Sequence, residues 1–228
     1  MKRRRVLAAA ALLPWAAARG ATDAPSGPRS TARVDATRLP APGSYVLPRV
    51  MDAPAGTVLE SDGRPHPLRR LLAGRLSVVS FIYSYCRDPE GCPRAWAVLG
   101  ELEAALRADP ALAARAQLVS ISFDPSHDTP QEMRRLAGAR ATDPVVHWRF
   151  LTTASVPALL PLLAGFGQDV TVETDAGGRP TRTLNHLLKV FLVDARAQVR
   201  EIYGIGTLDT QVLLNDLRTL RLEEQAAR

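Results

Sequence analysis

The chain has 228 residues, 46% of them hydrophobic, enough for one well-buried core and too few for two. Its formal charge of +6 gathers at one end: Lys2, Arg3, Arg4 and Arg5 supply four charges, and the rest of the chain stands at +2. The remaining basic residues are scattered among acids, with no block of five or six like charges, which excludes a nucleic-acid partner on charge grounds.

Residues 1–18 read as a signal peptide or N-terminal anchor. The basic start precedes an apolar stretch from Val6 to Ala18, interrupted by Pro14 and ending in Ala16, Ala17 and Ala18. The stretch is short beside the about twenty apolar residues of a membrane span, so export with cleavage is expected, and retention as a membrane tether is the alternative. The first cysteine is Cys86, which excludes a lipid-modified cysteine after the apolar stretch. The arginine pair before Val6 is a weak hint of twin-arginine export. The expected compartment is outside the cytosol, where a disulfide can persist. Residues 19–44 are rich in Ala, Pro, Gly, Ser, Thr and Asp and read as a flexible linker spanning about 25–30 Å. One domain, residues 45–228, fills the rest.

Within that domain, Gly56 to Glu60 reads as a short strand with a turn at Ser61-Asp62-Gly63, and Pro67 to Leu72 as a connector. Ser77 to Tyr83 is an uncharged β-branched and aromatic run, the pattern of a strand covered on both faces. Ala95, Val98, Leu99, Leu102 and Leu106 then fall at helical spacing. Gln117 to Phe123 is a second buried strand. Thr129-Pro130-Gln131-Glu132 is a capping box that starts a helix ending near Gly138, with Asp128 expected to help cap it. Trp148 to Thr152 is a third strand, and Ser155 caps a leucine-rich helix that fades at Gly165 to Gly167. Val170 to Glu173 has strand character before the turn residues Asp175 to Gly178. Leu187 to Val193 and Val199 to Tyr203 form a hairpin about a five-residue loop, and a last helix carries Leu213, Leu214, Leu217 and Leu220. The plan is α/β: a mixed central sheet flanked by helices, closing with a β-hairpin and a helix. A first buried strand that delivers a cysteine loop onto a helix start makes it thioredoxin-like.

Two cysteines are the whole sulfur chemistry of the chain apart from methionine. Cys86 and Cys92 flank five residues, and Cys92, followed by Pro93, sits where a helix N-terminus stabilises a thiolate. Two thiolates and one imidazole, His186 being the candidate, are a ligand set suited to low-coordinate Cu(I), whereas zinc wants a fourth ligand. The same sulfurs could instead work as a dithiol/disulfide pair. They could also form a structural disulfide worth about 2–2.5 kcal/mol by loop closure. His66, His127 and His147 stand in polar or strand-edge contexts and read as solvated or locally hydrogen-bonded.

Three motifs favour the copper reading by resemblance. Phe81-Ile82-Tyr83-Ser84-Tyr85-Cys86 with Cys92-Pro93, Val119 to Pro125 with Asp128-Thr129-Pro130, and Asn185-His186 before Val190 to Asp194 resemble, in order, those of the Sco/SenC family. The resemblance runs from about Gly56 to Leu222. It implies a thioredoxin-like domain in the periplasm or at the outer face of the inner membrane. It also implies a copper metallochaperone, a carrier rather than an enzyme, for a copper centre such as CuA of cytochrome c oxidase. Copper, as Cu(I) and also Cu(II), would be held by Cys86, Cys92 and His186. Asp124 would lie near the site, orienting the loop or the histidine. The implied partners are a copper-accepting oxidase subunit and an upstream copper donor chaperone. The competing function is a thiol-disulfide oxidoreductase that uses Cys86 and Cys92 to reduce a target copper site. Two departures mark this chain: the family pattern has three residues between the cysteines, and often an acid where Asn185 stands.

Overall fold

The computed structural model describes residues 38–86 and 92–227. The expected signal peptide or anchor (1–18), residues 19–37 of the expected linker and the spacer 87–91 between the cysteines lie outside the described residues. In chain order the elements are β1 (Met51–Asp52), β2 (Thr57–Leu59), β3 (Pro65–Pro67), α1 (Leu68–Leu72), β4 (Leu76–Ile82), α2 (Cys92–Ala108), α3 (Pro110–Ala113) and β5 (Ala116–Ser122). There follow α4 (Pro130–Ala137), a short 3-10 turn (Gly138–Thr142), β6 (Trp148–Leu151), α5 (Val156–Phe166), β7 (Val170–Thr174), β8 (Pro180–His186), β9 (Val190–Val193), β10 (Gln198–Tyr203) and α6 (Thr210–Ala226).

The main sheet has the order β1-β10-β9-β4-β5-β6, with β4, β5 and β6 parallel and β9, β10 and β1 added antiparallel. Every residue of β4 and β5 is buried, as their uncharged runs require of strands covered on both faces. Alternation then splits the core in two. Val78 and Ile82 join the leucines of α2 and α6, while Val79 and Phe81 join α1 and α5 on the opposite face. The result is the expected thioredoxin-like, three-layer α/β plan with a mixed sheet. Thr129 Oγ1 accepts from Glu132 N at 3.3 Å at the start of α4. Ser155 Oγ accepts from Ala158 N at 3.4 Å, and left-handed Gly167 ends α5, as read from the sequence.

Some elements differ from expectation. The apolar run expected from Leu187 begins as a strand only at Val190, and His186 closes an additional strand, β8, rather than opening β9. Strand β8 pairs with β7 in a separate two-stranded sheet. Its residues Pro180, Thr181, Thr183 and Asn185 carry no apolar signature, so hydrophobic patterning did not mark it. Short β1 and α3 were likewise unmarked. Asp128 does not cap α4; it is buried and bonded elsewhere.

Residues 38–44, the end of the expected linker, are held by α6. Asn215 Nδ2 donates to Pro40 O at 2.8 Å and Gly43 N donates to Thr219 Oγ1 at 3.0 Å. Gly43 has φ +81°, a backbone conformation that residues with a side chain rarely adopt, so the turn favours glycine there. Just beyond, Asp216 takes the hydroxyls of Tyr45 and Tyr203, one on each oxygen, at 2.5 and 2.6 Å. Arg200, at the register shift in β10, turns inward to Asp194 Oδ2 at 3.0 Å, to Glu223 and to the Leu47 carbonyl.

Two predictions follow from these buried polar ties. Arg200→Ala strands Asp194, which keeps its bonds from Arg196 N and Gln198 N at 2.9 Å; urea unfolding should show a loss of about 2–4 kcal/mol. The Tyr203 hydroxyl is held well above the ordinary tyrosine value of 10.0, first by burial and then by the adjacent Asp216 charge. The folded state therefore keeps a proton that the unfolded chain loses above pH 10. Stability from this group is full below that pH and declines above it. Unfolding free energy should fall from pH 9.5 to pH 11, and less steeply in Tyr203→Phe.

Candidate metal centre

Strand pairing brings three distant segments to one edge of the sheet. Strand β9 runs antiparallel to β4 with Ser80 opposite Val190, so the chain entering β9 passes beside the chain leaving β4. Strand β5 runs parallel to β4 with Ser122 opposite Ile82, so Phe123 and Asp124 leave at that same edge. Cys86, Asp124 and His186 therefore all sit on segments at the carboxyl end of the parallel strands, where α/β sheets gather functional side chains.

Cys86 carries a free, half-buried thiol. Its amide donates to the Tyr83 carbonyl at 3.3 Å, closing the turn that follows β4. The two residues before it are each tied to the β5–α4 loop. Ser84 N donates to Asp128 Oδ2 at 3.1 Å, and the Tyr85 hydroxyl donates to Asp124 Oδ2. Asp124 Oδ1 accepts from Ser126 N at 3.1 Å. Asp124 thus touches the residue beside Cys86 rather than the histidine. The His127 ring packs edge-on against Tyr85, with centroids 4.7 Å apart. Cys92 is the first residue of α2, as its helix-start pattern predicts; its side chain lies outside the described residues.

His186 rests on apolar rings. Its ring centroid is 4.4 Å from Phe123 and 6.1 Å from Tyr83. Nδ1 stands 3.1 Å from the Leu184 carbonyl. A carbonyl only accepts, so Nδ1 carries the hydrogen and the neutral ring keeps its lone pair on Nε2, the nitrogen available to a metal. The segment after it is anchored too: Gln168 Nε2 donates to Leu187 O at 3.0 Å and Lys189 Nζ to Gly167 O at 2.5 Å. Among the described residues, no three His, Cys, Asp or Glu side chains are grouped closely enough to hold a metal ion. Tyr85 belongs to this edge as its place in the cysteine motif suggests; Asp128, expected as a helix cap, belongs to it as well, and only the motif spacing Asp124 to Asp128 points there.

A groove of about 520 Å³ opens beside these residues, between α5 and the β7–β8 hairpin. Asp124, Tyr85 and His127 form its polar end, and Leu160, Val172 and Leu184 contribute to its apolar walls.

The fold defines a thioredoxin-like protein, with Cys86 and His186 on segments at one edge of its sheet. The SCO1/SenC family pattern matches residues 59–221, and the chain belongs to that family. No curated protein matches it in sequence. Among solved structures, a SCO1/SenC family lipoprotein from Bacillus anthracis str. Ames is 20% identical, with 81% of this chain and 100% of that chain covered and a TM-score of 0.60. BsSco, from a study of a disulfide switch in that member of the Sco family of cytochrome c oxidase assembly proteins, is 21% identical (78% and 98% covered, TM-score 0.58). Bradyrhizobium japonicum ScoI with copper bound is 18% identical (76% and 98% covered, TM-score 0.56). At these identities the likeness is one of fold.

Phe123 is the floor under His186. Phe123→Ala should cost about 3–4 kcal/mol in chemical unfolding. In the folded variant, the His186 ring protons should move toward random-coil NMR positions; unchanged shifts would mean that the ring is seated by something else.

Proposed function

We propose that this protein is an exported copper carrier that binds one copper through Cys86, Cys92 and His186 and hands it to a copper-accepting subunit, the CuA-bearing subunit of cytochrome c oxidase. The observation that supports the reading is that Cys86 and His186 lie on segments brought to one sheet edge in a SCO1/SenC family member. Cys86 is free, and His186 has its Nδ1 engaged and its Nε2 lone pair left over. Two copper-loaded relatives of the same fold, the Bradyrhizobium protein and Arabidopsis thaliana ScoI, support copper as the cargo.

Soft thiolates select Cu(I), and the imidazole completes three-coordination. Both thiols must lose their protons on binding, so loading releases protons and weakens as pH falls. A low coordination number leaves room for an incoming target thiolate, so copper can pass by ligand exchange without ever being free. Cu(II) is the second state such a mixed N/S site can hold. Asp124, through Tyr85, orients the loop that carries Cys86. The basic and apolar start of the chain directs it to the periplasm or holds it at the outer face of the inner membrane. Among the described residues no helix is long and apolar enough to cross a membrane.

The second reading is thiol–disulfide exchange. Here Cys86 and Cys92 lose two electrons and two protons to a disulfide of the target, and His186 is not needed; the disulfide switch reported for BsSco favours keeping it in view.

One experiment separates the two. The reduced protein, titrated with Cu(I) against a competing chelator, should bind one equivalent. Removing an outer partner of a metal ligand costs about 10–100-fold in affinity, so His186→Ala, which removes a ligand, should lose at least that much. Equal affinity in His186→Ala, or no binding by the parent, rejects the carrier reading. Oxidase assembly restored by His186→Ala would then support the exchange reading.

A further inference from the structure

One buried acid at this edge stands outside the proposed ligand set. Asp128 is 0% exposed, and its Oδ2 accepts from Ser84 N at 3.1 Å and from Ser122 Oγ at 2.6 Å. Ser122 Oγ in turn accepts from Asp124 N at 2.9 Å. Oδ1 has no hydrogen-bond partner among the described residues. Helix α4 does not need this carboxyl, because Thr129 caps it. The loop's own turn closes through backbone, with Asp128 N donating to Asp124 O at 2.8 Å. The side chain is committed to something outside its own element.

That commitment is costly. A buried polar oxygen without a partner costs about 1–3 kcal/mol, and an apolar side chain of similar size would avoid the desolvation altogether. What the acid adds is direction. Ser84 is tied by Asp128 and Tyr85 by Asp124, and Cys86 is the next residue along. Both ties run to the four-residue step Asp124–Asp128, whose start is fixed to the end of β5 by Ser122.

We infer that Asp128 is a positioning residue for the Cys86 sulfur: its hydrogen bond to the Ser84 amide locks the turn after β4 onto β5 and sets where the thiol stands. Its consequence for copper rests on the carrier reading; the placement of Cys86 does not.

The test uses the full chain in two forms. In a Cys92→Ser background Cys86 is the single thiol, and its iodoacetamide alkylation rate reports its placement without copper. Losing a hydrogen bond to a charged group should free the loop, so Asp128→Ala should alkylate about tenfold faster. Asp128→Asn keeps an oxygen acceptor for Ser84 N and should stay within about threefold of the parent rate. With both cysteines present, Asp128→Ala should bind Cu(I) about tenfold more weakly and Asp128→Asn close to parent. A merely structural Asp128 would lower the unfolding midpoint while leaving alkylation rate and Cu(I) affinity unchanged, and that result overturns the inference. Should Asp128→Ala fail to fold, hydrogen exchange of the Ser84 amide in the unsubstituted protein decides, an unprotected rate refuting the tie. Absence of Cu(I) binding by the parent would reject the carrier reading alone, since the alkylation comparison still tests Asp128.

Discussion

The site depends on the antiparallel pairing of β9 with β4. His186 and Cys86 are a hundred residues apart in sequence, and only the Ser80–Val190 register lays the chain before β9 beside the chain after β4. That register is held by side chains on one face. Phe191 packs against Phe81 at 6.2 Å and Phe166 at 4.8 Å, and Phe81 meets Phe166 at 5.5 Å. A slip of one residue would turn Phe191 and Val193 to the other face and put Leu192 in their place. The aromatic cluster thus decides where His186 stands, although no member of that trio touches it among the ring contacts.

Positioning at the edge then divides between two kinds of force. Apolar rings set the gross placement: Phe123 under the His186 ring, and Tyr83 beside both His186 and Tyr85. Burial of one such ring is worth about 3–4 kcal/mol on truncation. The polar ties, Ser84 to Asp128 and Tyr85 to Asp124, are worth about 0.5–3 kcal/mol net apiece, too little to create the fold. They are directional where the rings are not. A loop that holds a cysteine in one place needs both, because hydrophobic contact alone leaves a turn free to pivot.

How far this was legible in the sequence follows from which force is local. Strands β4 and β5 announced themselves because strands buried on both faces tolerate no charge, and Thr129 and Ser155 announced their helices because a cap is a local hydrogen bond. Cys86, Cys92, Asp124 and His186 stand out by residue chemistry and motif order. Among the described residues strand β8 pairs with β7 alone and its exposed positions are polar, so no periodicity distinguishes it from loop. Asp128 was read as a cap for the same reason: an acid before Thr-Pro has an obvious local use, and its bond to Ser84, 44 residues away, is purely tertiary. The inward turn of Arg200 at a bulge, and the docking of residues 40–43 on α6, are tertiary in the same sense.

The five-residue spacer between the cysteines can be weighed in the same terms. One end is Cys86, which follows two clamped residues. The other is Cys92, the first residue of a helix rooted in the core by Leu99, Leu102 and Leu106. Lengthening a flexible connection from three residues to five adds only about 0.5 kcal/mol of closure entropy, from three-halves RT times the logarithm of the ratio. That is no more than the least that one of the hydrogen bonds clamping the Cys86 side contributes. Closure entropy alone therefore gives no reason for either held end to be released. On the proposed carrier reading, the longer spacer leaves the residue types offered to copper unchanged and bears on the thiol–disulfide equilibrium through the loop that must close.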